Sequence, residues 1–396
     1  MSNTIRRPCP VCGGSGRRLI HRQRFLEGPL GDGYDVVVCT HCGTGFADGI
    51  PSQAEMDRYY AEQSKYSYDH TGGAESSWDM KRFETTIDQI VPYLPSNDIS
   101  ILDIGCATGG LLSAFKKRGY KNVLGVDPSA ACAAAAGRLH GVTVRTATMA
   151  QLGDSKERFD LILMLGVLEH LGDAKAAVMV TANLLNEGGY LYCAVPDVEG
   201  LSMCPNGPYQ QFSIEHVNFF SRSSMKRLMA ECSMVEAKAW NWNIEWREGV
   251  WEPIASGLYE IGIPPPDPVY DATTEPGLAK YLEFSEQGES EILGAVDALV
   301  ANQEPIIVWG AGSLARRLLA NTQFAQINIV AFVDSNPHVQ GQTLSGRHIL
   351  NPTEIAGRRE TILICSMSFA AEIATAVRSH CALPKRILSI LGEVLQ

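Results

Sequence analysis

Apolar and polar positions follow a strand–turn–helix–strand order that occurs twice along the chain. An apolar run at residues 101–104 ends in a glycine turn, a helical stretch follows at 111–118, and a second apolar run at 123–126 ends in Asp127. Near-continuous apolar runs of this length are typical of buried parallel strands. Because a similar order returns at residues 305–334, the pattern predicts an α/β protein with two such units.

The first glycine turn reads Asp103-x-Gly105-x-x-x-Gly109, without the middle glycine of a dinucleotide-binding turn. Glycines allow backbone N–H groups to approach a ligand where a Cβ would collide. Asp127 stands at the tip of the second strand, where an acid binds the two hydroxyls of a ribose. Asp103 suits a ligand ammonium group rather than a phosphate. S-adenosyl-L-methionine has a ribose, an amino-acid end and no phosphate, so the pattern predicts this methyl donor.

From Asp103 to Pro196 the chain resembles the class I S-adenosylmethionine-dependent methyltransferases. A buried strand at 159–164 precedes a loop at 166–171 that looks like the loop after the fourth strand of these enzymes. An α/β domain with an idle glycine turn is the alternative. The resemblance implies that the donor is bound by Asp103, Gly105, Cys106, Gly109, Asp127, Pro128, Met149, Leu165, Gly166, Glu169 and His170.

Length and charge limit the possible partners. The chain has 396 residues, more than one typical domain. Its net charge of −11 argues against a nucleic acid as the main partner. No apolar run reaches membrane-spanning length and no N-terminal signal sequence is recognisable. We therefore expect a cytoplasmic protein with a small-molecule substrate and no membrane partner; the sequence does not indicate its oligomeric state.

Four cysteines near the N-terminus form two C-x-x-C pairs, Cys9 with Cys12 and Cys39 with Cys42. Each pair places two thiolates on one tight turn, and two such turns complete a tetrahedral zinc site. In the expected compartment, metal binding is favoured over disulfides. The pattern predicts a structural Zn²⁺ that replaces a hydrophobic core in a unit of about 50 residues and has no chemical role.

The segment 208–221 carries the first candidate for a catalytic base. Glu215 and His216 lie there between apolar residues, on a segment expected beside the donor's sulfur. Methyl transfer to carbon or to a hydroxyl needs a base, and an imidazole titrates near neutral pH. His216 is therefore the first candidate base, and His170 is the second.

The turn of the C-terminal unit reads Gly310-x-Gly312-x-x-Ala315 and is followed by an acid, Asp334. Taken alone, it matches a dinucleotide fingerprint better than the first turn does. A partner for hydride transfer, such as a Tyr–Lys pair, is not evident. A wall of the substrate cleft is the preferred interpretation, and an NAD- or nucleotide-binding module is the remote alternative.

The order of a cysteine-rich unit, a methyltransferase core and a small second α/β unit resembles the zinc-knuckle sugar C-methyltransferases, which act on nucleotide-linked 4-keto-6-deoxysugars. The resemblance implies that His216 removes the proton beside the ketone, that the enolate attacks the donor's methyl group, and that Glu215 holds the sugar. A tyrosine of the segment 59–68 would line the site as a lid, or simply pack; the matching candidates are Tyr66 and Tyr68.

The chain departs from this family at one motif. The family reads Tyr-His-Glu-His where this chain has Ser213-Ile214-Glu215-His216. O-methylation of a sugar or another small hydroxyl acceptor is therefore the alternative activity. The expected fold is an N-terminal zinc knuckle, a central class I methyltransferase Rossmann-like sheet and a smaller C-terminal Rossmann-like unit. The expected divisions are a zinc-binding domain at 1–58, a donor-binding domain at 59–246, a linker with a helix at 247–304 and the C-terminal domain at 305–396.

Overall fold

The computed structural model describes residues 6–63, 74–204, 207–265, 269–381 and 386–395. The strands are β1 (Arg17–Arg24), β2 (Gly33–Cys39), β3 (Gly45–Asp48), β4 (Ser100–Ile104), β5 (Asn122–Asp127), β6 (Val144–Thr146), β7 (Phe159–Leu165), β8 (Leu185–Pro196), β9 (Asn218–Phe219), β10 (Met234–Arg247), β11 (Val250–Ile261), β12 (Ile306–Trp309), β13 (Ile329–Val333), β14 (Thr343–Leu344), β15 (Arg347–Leu350), β16 (Thr361–Ile364) and β17 (Ile387–Ser389). The helices are α1 (Gln53–Gln63), α2 (Ser77–Ile90), α3 (Gly110–Lys117), α4 (Ala130–His140), α5 (Met149–Leu152), α6 (Ala174–Leu184), α7 (Arg222–Glu231), α8 (Thr274–Asn302), α9 (Ser313–Asn321) and α10 (Ala370–His380). Within the described residues the strands form three sheets.

The central sheet has seven strands in the order β10-β11-β8-β7-β4-β5-β6. Its strands β4 to β8 pair in parallel, and β11 is antiparallel to both β8 and β10. Successive residues of β4 point to opposite faces, so Leu102 packs with α6 and α7 while Ile101 packs with α2 and α3. Since helices cover both faces, the predicted α/β methyltransferase-type sheet is confirmed.

The predicted linker begins inside this sheet. Residues 250–261 form β11, which pairs with β8 from Ile254 opposite Pro196 to Glu260 opposite Tyr190. The expected boundary at residue 246 thus falls within the β10–β11 hairpin, and these residues belong to the sheet rather than to a connection. Most of them are buried because both faces of the sheet are covered there, with Ala255 and Tyr259 in the core on one face and Ile254 and Leu258 in the core on the other.

The N-terminal sheet is antiparallel, in the order β1-β2-β3-β9. Its fourth strand comes from far along the chain, with Phe219 opposite Gly45 and Asn218 opposite Phe46. The unit predicted at residues 1–58 is therefore completed by a segment that directly follows His216.

The C-terminal sheet has the order β14-β15-β13-β12-β16-β17 and hydrophobic clusters of its own. The 29-residue helix α8 leads into it. Leu278 and Tyr281 on α8 join the core under the N-terminal sheet, whereas Ile292 and Val296 join the core of the C-terminal sheet. One helix thus packs against both units.

Among the described residues, no helix is long and apolar enough to cross a membrane. The longest, α8, carries charged residues along its length.

Candidate functional site

The predicted donor turn joins β4 to α3 and has an unusual backbone. Gly105, Ala107 and Gly109 have φ angles of +73°, +46° and +79°. A Cβ on Gly105 would lie 2.7 Å from Cγ2 of Val167, the residue before the loop that carries His170. The turn and that loop are therefore in contact, and a side chain at Gly105 would force them apart.

Two buried acids flank this turn. One oxygen of Asp127, Oδ2, accepts a hydrogen bond from the amide of Ala107 (3.0 Å), and Oδ1 accepts one from the amide of Ser129 (2.9 Å). Burial raises the pKa of Asp127. Asp103 is only 3% exposed, and burial, followed by the charge of Asp127, raises its pKa to about 8. A ligand ammonium group would restore the charge of Asp103 by pairing with it.

The raised pKa of Asp103 predicts a pH-dependent stability. An unfolded aspartate titrates near about 3.9, so between about pH 4 and pH 8 the native state binds a proton that the unfolded state has lost. The free energy of unfolding then falls as pH rises through this window, by up to about 1.4 kcal/mol per pH unit for one such group. The free energy of unfolding, measured with urea at pH 5 and at pH 8, should fall less between these pH values for Asp103→Asn than for the wild type. Equal losses would contradict the assignment.

A third acid near the turn carries no sequence signal and was not predicted. The carboxylate of Glu75 accepts hydrogen bonds from the hydroxyl of Thr108 (2.9 Å) and from Nε2 of His140 (3.0 Å). It lies so close to the first residue of α3 that a Cβ on Gly110 would collide with it. The segment before α2 therefore contacts the donor turn directly.

The remaining predicted donor residues lie near the carboxyl ends of the parallel strands. Cys106 is buried in the turn, and half-buried Pro128 follows Asp127. Met149 begins α5 after β6, Leu165 ends β7, and Gly166 is exposed with φ +65°. Ligands of open parallel sheets bind outside this edge, so the positions agree with the predicted roles, which stay predictions.

Two loops bring the candidate bases together. His170 follows β7 in a short 3₁₀ helix, and His216 lies just before β9. Their ring centroids are 4.9 Å apart, with the rings edge to face at 71°. The loops are joined through the backbone, because the amide of Val217 donates to the carbonyl of Glu169 (2.8 Å). Ser213, at the position where the chain departs from the sugar methyltransferase motif, accepts from the amide of His216 (3.1 Å) through its hydroxyl.

Two tyrosines of α1 contact the loops that carry the histidines. The hydroxyl of Tyr59 donates to Oε1 of Glu215 (2.8 Å), and the hydroxyl of Tyr60 lies 3.0 Å from Nδ1 of His170. This Nδ1 also lies 3.1 Å from the carbonyl of Glu215, which only accepts, so Nδ1 carries the proton of that bond. Tyr59 and Tyr60 belong to the tyrosine-rich segment noted in the sequence. The predicted site tyrosines fall outside the described residues: Tyr66 and Tyr68.

Glu169 is close to the two histidines, and its side chain is only 4% exposed. Burial, followed by the charge of Glu252, raises its pKa to about 8. Its Oε2 atom is buried and has no hydrogen-bond partner among the described residues. One ligand atom each from Glu169, His170 and His216 lies within 4.8 Å of the others, a donor set that could hold a divalent cation.

The four predicted zinc ligands converge. Their sulfur atoms all lie within 4.8 Å of one another, with 3.5 Å between the sulfurs of Cys9 and Cys42 and 3.6 Å between those of Cys12 and Cys39. A tetrahedron of Zn–S bonds of about 2.3 Å has edges of about 3.8 Å, so these four thiols fit Zn²⁺. The site joins the turn before β1 to the β2–β3 hairpin.

The turn of the C-terminal sheet repeats the geometry of the donor turn. Oδ2 of Asp334 accepts from the amide of Ala311 (2.8 Å), and Oδ1 accepts from the amide of Asn336 (2.8 Å). Gly310 has φ +114° and lies between β12 and α9. Asp334 therefore occupies the same place relative to its turn as Asp127 does in the central sheet.

Comparison with known families identifies the central part of the chain. Residues 78–232 match the family described as "Methyltransferase domain". This match includes both buried acids and both histidine loops, and it confirms the predicted methyltransferase domain. Residues 302–388 match a second family, described as "C2185-like, N-terminal".

Curated relatives resemble only part of the chain. "Ubiquinone biosynthesis O-methyltransferase" of Rhizobium rhizogenes is 35% identical over 105 residues, covering 25% of this chain and 42% of that protein. The protein of the same name from Agrobacterium fabrum is 37% identical over 107 residues, covering 26% and 42%. The chain thus spans less than half the length of these relatives.

Solved structures are similar at low identity. The SAM-bound magnesium protoporphyrin IX methyltransferase of Synechocystis PCC 6803 is 14% identical, with a TM-score of 0.37, over 52% of this chain and 96% of its own. The geranyl diphosphate C-methyltransferase of Streptomyces coelicolor is 16% identical, with a TM-score of 0.38, over 53% and 97%.

Proposed function

We propose that this chain, which contains a methyltransferase domain of the S-adenosylmethionine-dependent class at residues 78–232, transfers a methyl group to a carbon atom of a nucleotide-linked keto-deoxysugar. His216 is the base of the proposed reaction. Zn²⁺ is held by the four N-terminal cysteines and has a structural role.

The observation that carries the proposal is a pair of histidine rings in edge-to-face contact, one of them on the loop that packs against the donor turn through Val167. Val167 touches Gly105 of the turn, and three residues further on lies His170, whose ring packs against that of His216. In the proposed reaction, the donor's methyl group is presented beside these two imidazoles. An unprotonated imidazole at this position is a base of suitable strength at neutral pH.

The proposed reaction uses the acidity of a carbon next to a ketone. The donor, when bound, supplies an electrophilic methyl group on a sulfonium. A ring nitrogen of neutral His216 takes the proton from the α-carbon, and the electron pair of the C–H bond passes into the enolate. The enolate carbon then forms a bond to the methyl carbon as the C–S bond breaks, giving S-adenosylhomocysteine, the methylated ketone and an imidazolium. Holding both reactants in line supplies much of the acceleration.

Neighbouring side chains fix the acceptor and the base. Tyr59 donates to Glu215 and so orients its carboxylate, which can accept hydroxyl hydrogens of a sugar. The edge-to-face contact with His170 restricts the ring of His216. Tyr60 and the Glu215 carbonyl in turn hold Nδ1 of His170.

Proton exchange tests the proposal without requiring complete turnover. The enzyme, S-adenosylhomocysteine and a panel of nucleotide-linked 4-keto-6-deoxysugars would be mixed in D₂O and followed by NMR. Deuterium should enter at the α-carbon with the wild type and not with His216→Ala. Absence of exchange across the panel, together with absence of methylated product when S-adenosylmethionine is added, would contradict the proposal.

O-methylation is the second candidate. It is favoured by the name of the curated relatives and by the Glu169, His170 and His216 cluster, since a divalent cation held there could bind a hydroxyl acceptor. A donor with a ¹³C-labelled methyl group separates the two reactions. The ¹³C signal of a methyl group bound to oxygen lies far downfield of the signal of a methyl group bound to carbon, because oxygen withdraws electron density from the methyl carbon.

Substitution of Asp127 should weaken donor binding. Asp127→Asn removes the charged acceptor for the ribose hydroxyls, and bonds to charged groups contribute roughly 1.5–3 kcal/mol, so the Kd should rise about 10- to 150-fold. Calorimetric titration with S-adenosylhomocysteine measures this. Asp334→Asn is the matched control, because its carboxylate has the same two backbone bonds in the other sheet. Equal affinity of both variants would contradict the donor assignment.

A further inference from the structure

Arg7 connects the zinc unit to the loops that carry the two histidines. Its side chain is 8% exposed and lies between the first C-x-x-C turn and the central sheet. The Nη1 group donates to the carbonyl of Gly172 (2.5 Å), and Nη2 donates to the carbonyl of Val217 and to Oδ1 of Asn218 (2.8 Å). The Nε group donates to the carbonyl of Ala47 (3.0 Å). One guanidinium thus bridges strand β3 and both loops.

The contacts of Arg7 lie within two residues of each histidine. Gly172 follows His170, and Val217 follows His216. Asn218, which accepts from Arg7, also donates through Nδ2 to the carbonyls of Leu168 (2.6 Å) and Leu171 (2.8 Å), on either side of His170. One arginine and one asparagine therefore hold the two loops together, beside the backbone bond from Val217 to Glu169.

Arg7 lies close to the cysteine cluster in sequence and is bound to the strand that follows it. Arg7 precedes the ligand Cys9 by two residues, and its amide donates to Oδ1 of Asp48 in β3 (3.2 Å). Strand β3 follows Cys42 and pairs with β9 directly after the His216 loop. The amide of Ala47 donates to the carbonyl of Val217 (2.9 Å). Other zinc-unit residues bind the same segment, since Tyr34 donates to the carbonyl of Ser213 (2.8 Å).

We infer that Arg7 is a positioning residue for the methyl transfer, and that the zinc unit is part of the active site rather than an appended scaffold. The inference rests on the proposed function of the histidines. A planar fork of five N–H donors is needed to reach four acceptors in different directions, and the single ammonium of lysine cannot do this. Arg7→Lys keeps the charge but removes most of the guanidinium's bonds to the two loops, so that the rings can shift, and a displacement of about 1 Å at a reacting centre costs roughly 100-fold in rate.

The test compares Arg7→Lys with Arg18→Lys in the full chain loaded with zinc. Arg18 is in the same unit but pairs with Glu275 at the surface and contacts neither loop. For Arg7→Lys we expect kcat to fall 10- to 100-fold, with zinc content and Kd for S-adenosylhomocysteine close to those of the wild type and a folded protein that melts at a somewhat lower temperature. The control should keep wild-type values throughout.

A spectrum that does not depend on turnover completes the test. Long-range ¹H–¹⁵N correlation of the histidine rings should show shifted signals of His170 and His216 in Arg7→Lys and unchanged signals in Arg18→Lys. Unchanged histidine signals with wild-type kcat would overturn the inference. Loss of zinc or of the folded state in Arg7→Lys would assign Arg7 a purely structural role and also overturn it. If the wild type methylates no acceptor, the proposed function fails. The signals of the histidine rings still decide whether Arg7 positions His170 and His216 relative to each other.

Discussion

Replacing His216 with alanine is expected to abolish methyl transfer while donor binding stays unchanged. The base removes the α-proton, and loss of a positioned general base costs roughly 100- to 10,000-fold in rate. Donor binding should persist because Asp103, Asp127 and the glycine turn are untouched. Single-turnover methylation and calorimetric titration with S-adenosylhomocysteine measure the two effects separately.

His348→Ala provides the control for this substitution. His348 is exposed on β15, in the C-terminal sheet. The His348→Ala variant should therefore methylate its substrate and bind S-adenosylhomocysteine as the wild type does. His170→Ala should give a smaller loss, since in the proposed mechanism its ring only restricts that of His216. Full turnover in His216→Ala would place the base elsewhere, with His170 and then Tyr60 as the next groups to test.

Replacing Cys12 with serine is expected to release zinc and to unfold the N-terminal unit. Structural zinc contributes about 10–16 kcal/mol in small zinc-binding units, which is comparable with the whole stability of a domain. The zinc content found by elemental analysis should fall from about one ion per chain, as one four-thiolate site implies, to none. Differential scanning calorimetry should show an unfolding transition at a lower temperature than in the wild type. Cys232→Ser is the matched control, because Cys232 is a half-buried cysteine that lies outside the four-cysteine cluster and whose thiol donates to the carbonyl of Lys175. A Cys12→Ser protein that keeps its metal and its melting temperature would contradict the zinc site.

Local patterns were sufficient to predict the parts of the fold in which neighbouring residues decide the structure. The apolar runs of β4 and β7 are almost wholly buried and that of β5 is buried from Gly125 onward, so near-continuous apolar residues mark all three strands in the sequence. The glycine turn needs positive φ angles at Gly105 and Gly109, which few other residues adopt. The C-x-x-C pairs bring their thiols together because each pair occupies a single turn.

Contacts between distant segments could not be predicted in this way. The two-residue strand β9 has no pattern of its own and is defined only by pairing with β3. Arg7 resembles any basic residue near an N-terminus until its four acceptors are known. Glu75 lies on the donor turn only because α2 packs against α3. The sequence predicts a linker where β11 lies, because Glu252, Pro253 and Ser256 interrupt its apolar residues and leave neither an apolar run nor a regular alternation.

The distant origin of β9 has a consequence for biosynthesis. The nascent chain exposes β3 as an open sheet edge once residue 48 has left the ribosome, and the strand that covers this edge ends at residue 219. At about 5–20 residues per second, roughly 170 residues take about 10–35 s to translate. Open edges of this kind are sites of intermolecular pairing. The yield of folded protein should therefore depend on early zinc capture and on chaperones that shield this edge until synthesis passes His216.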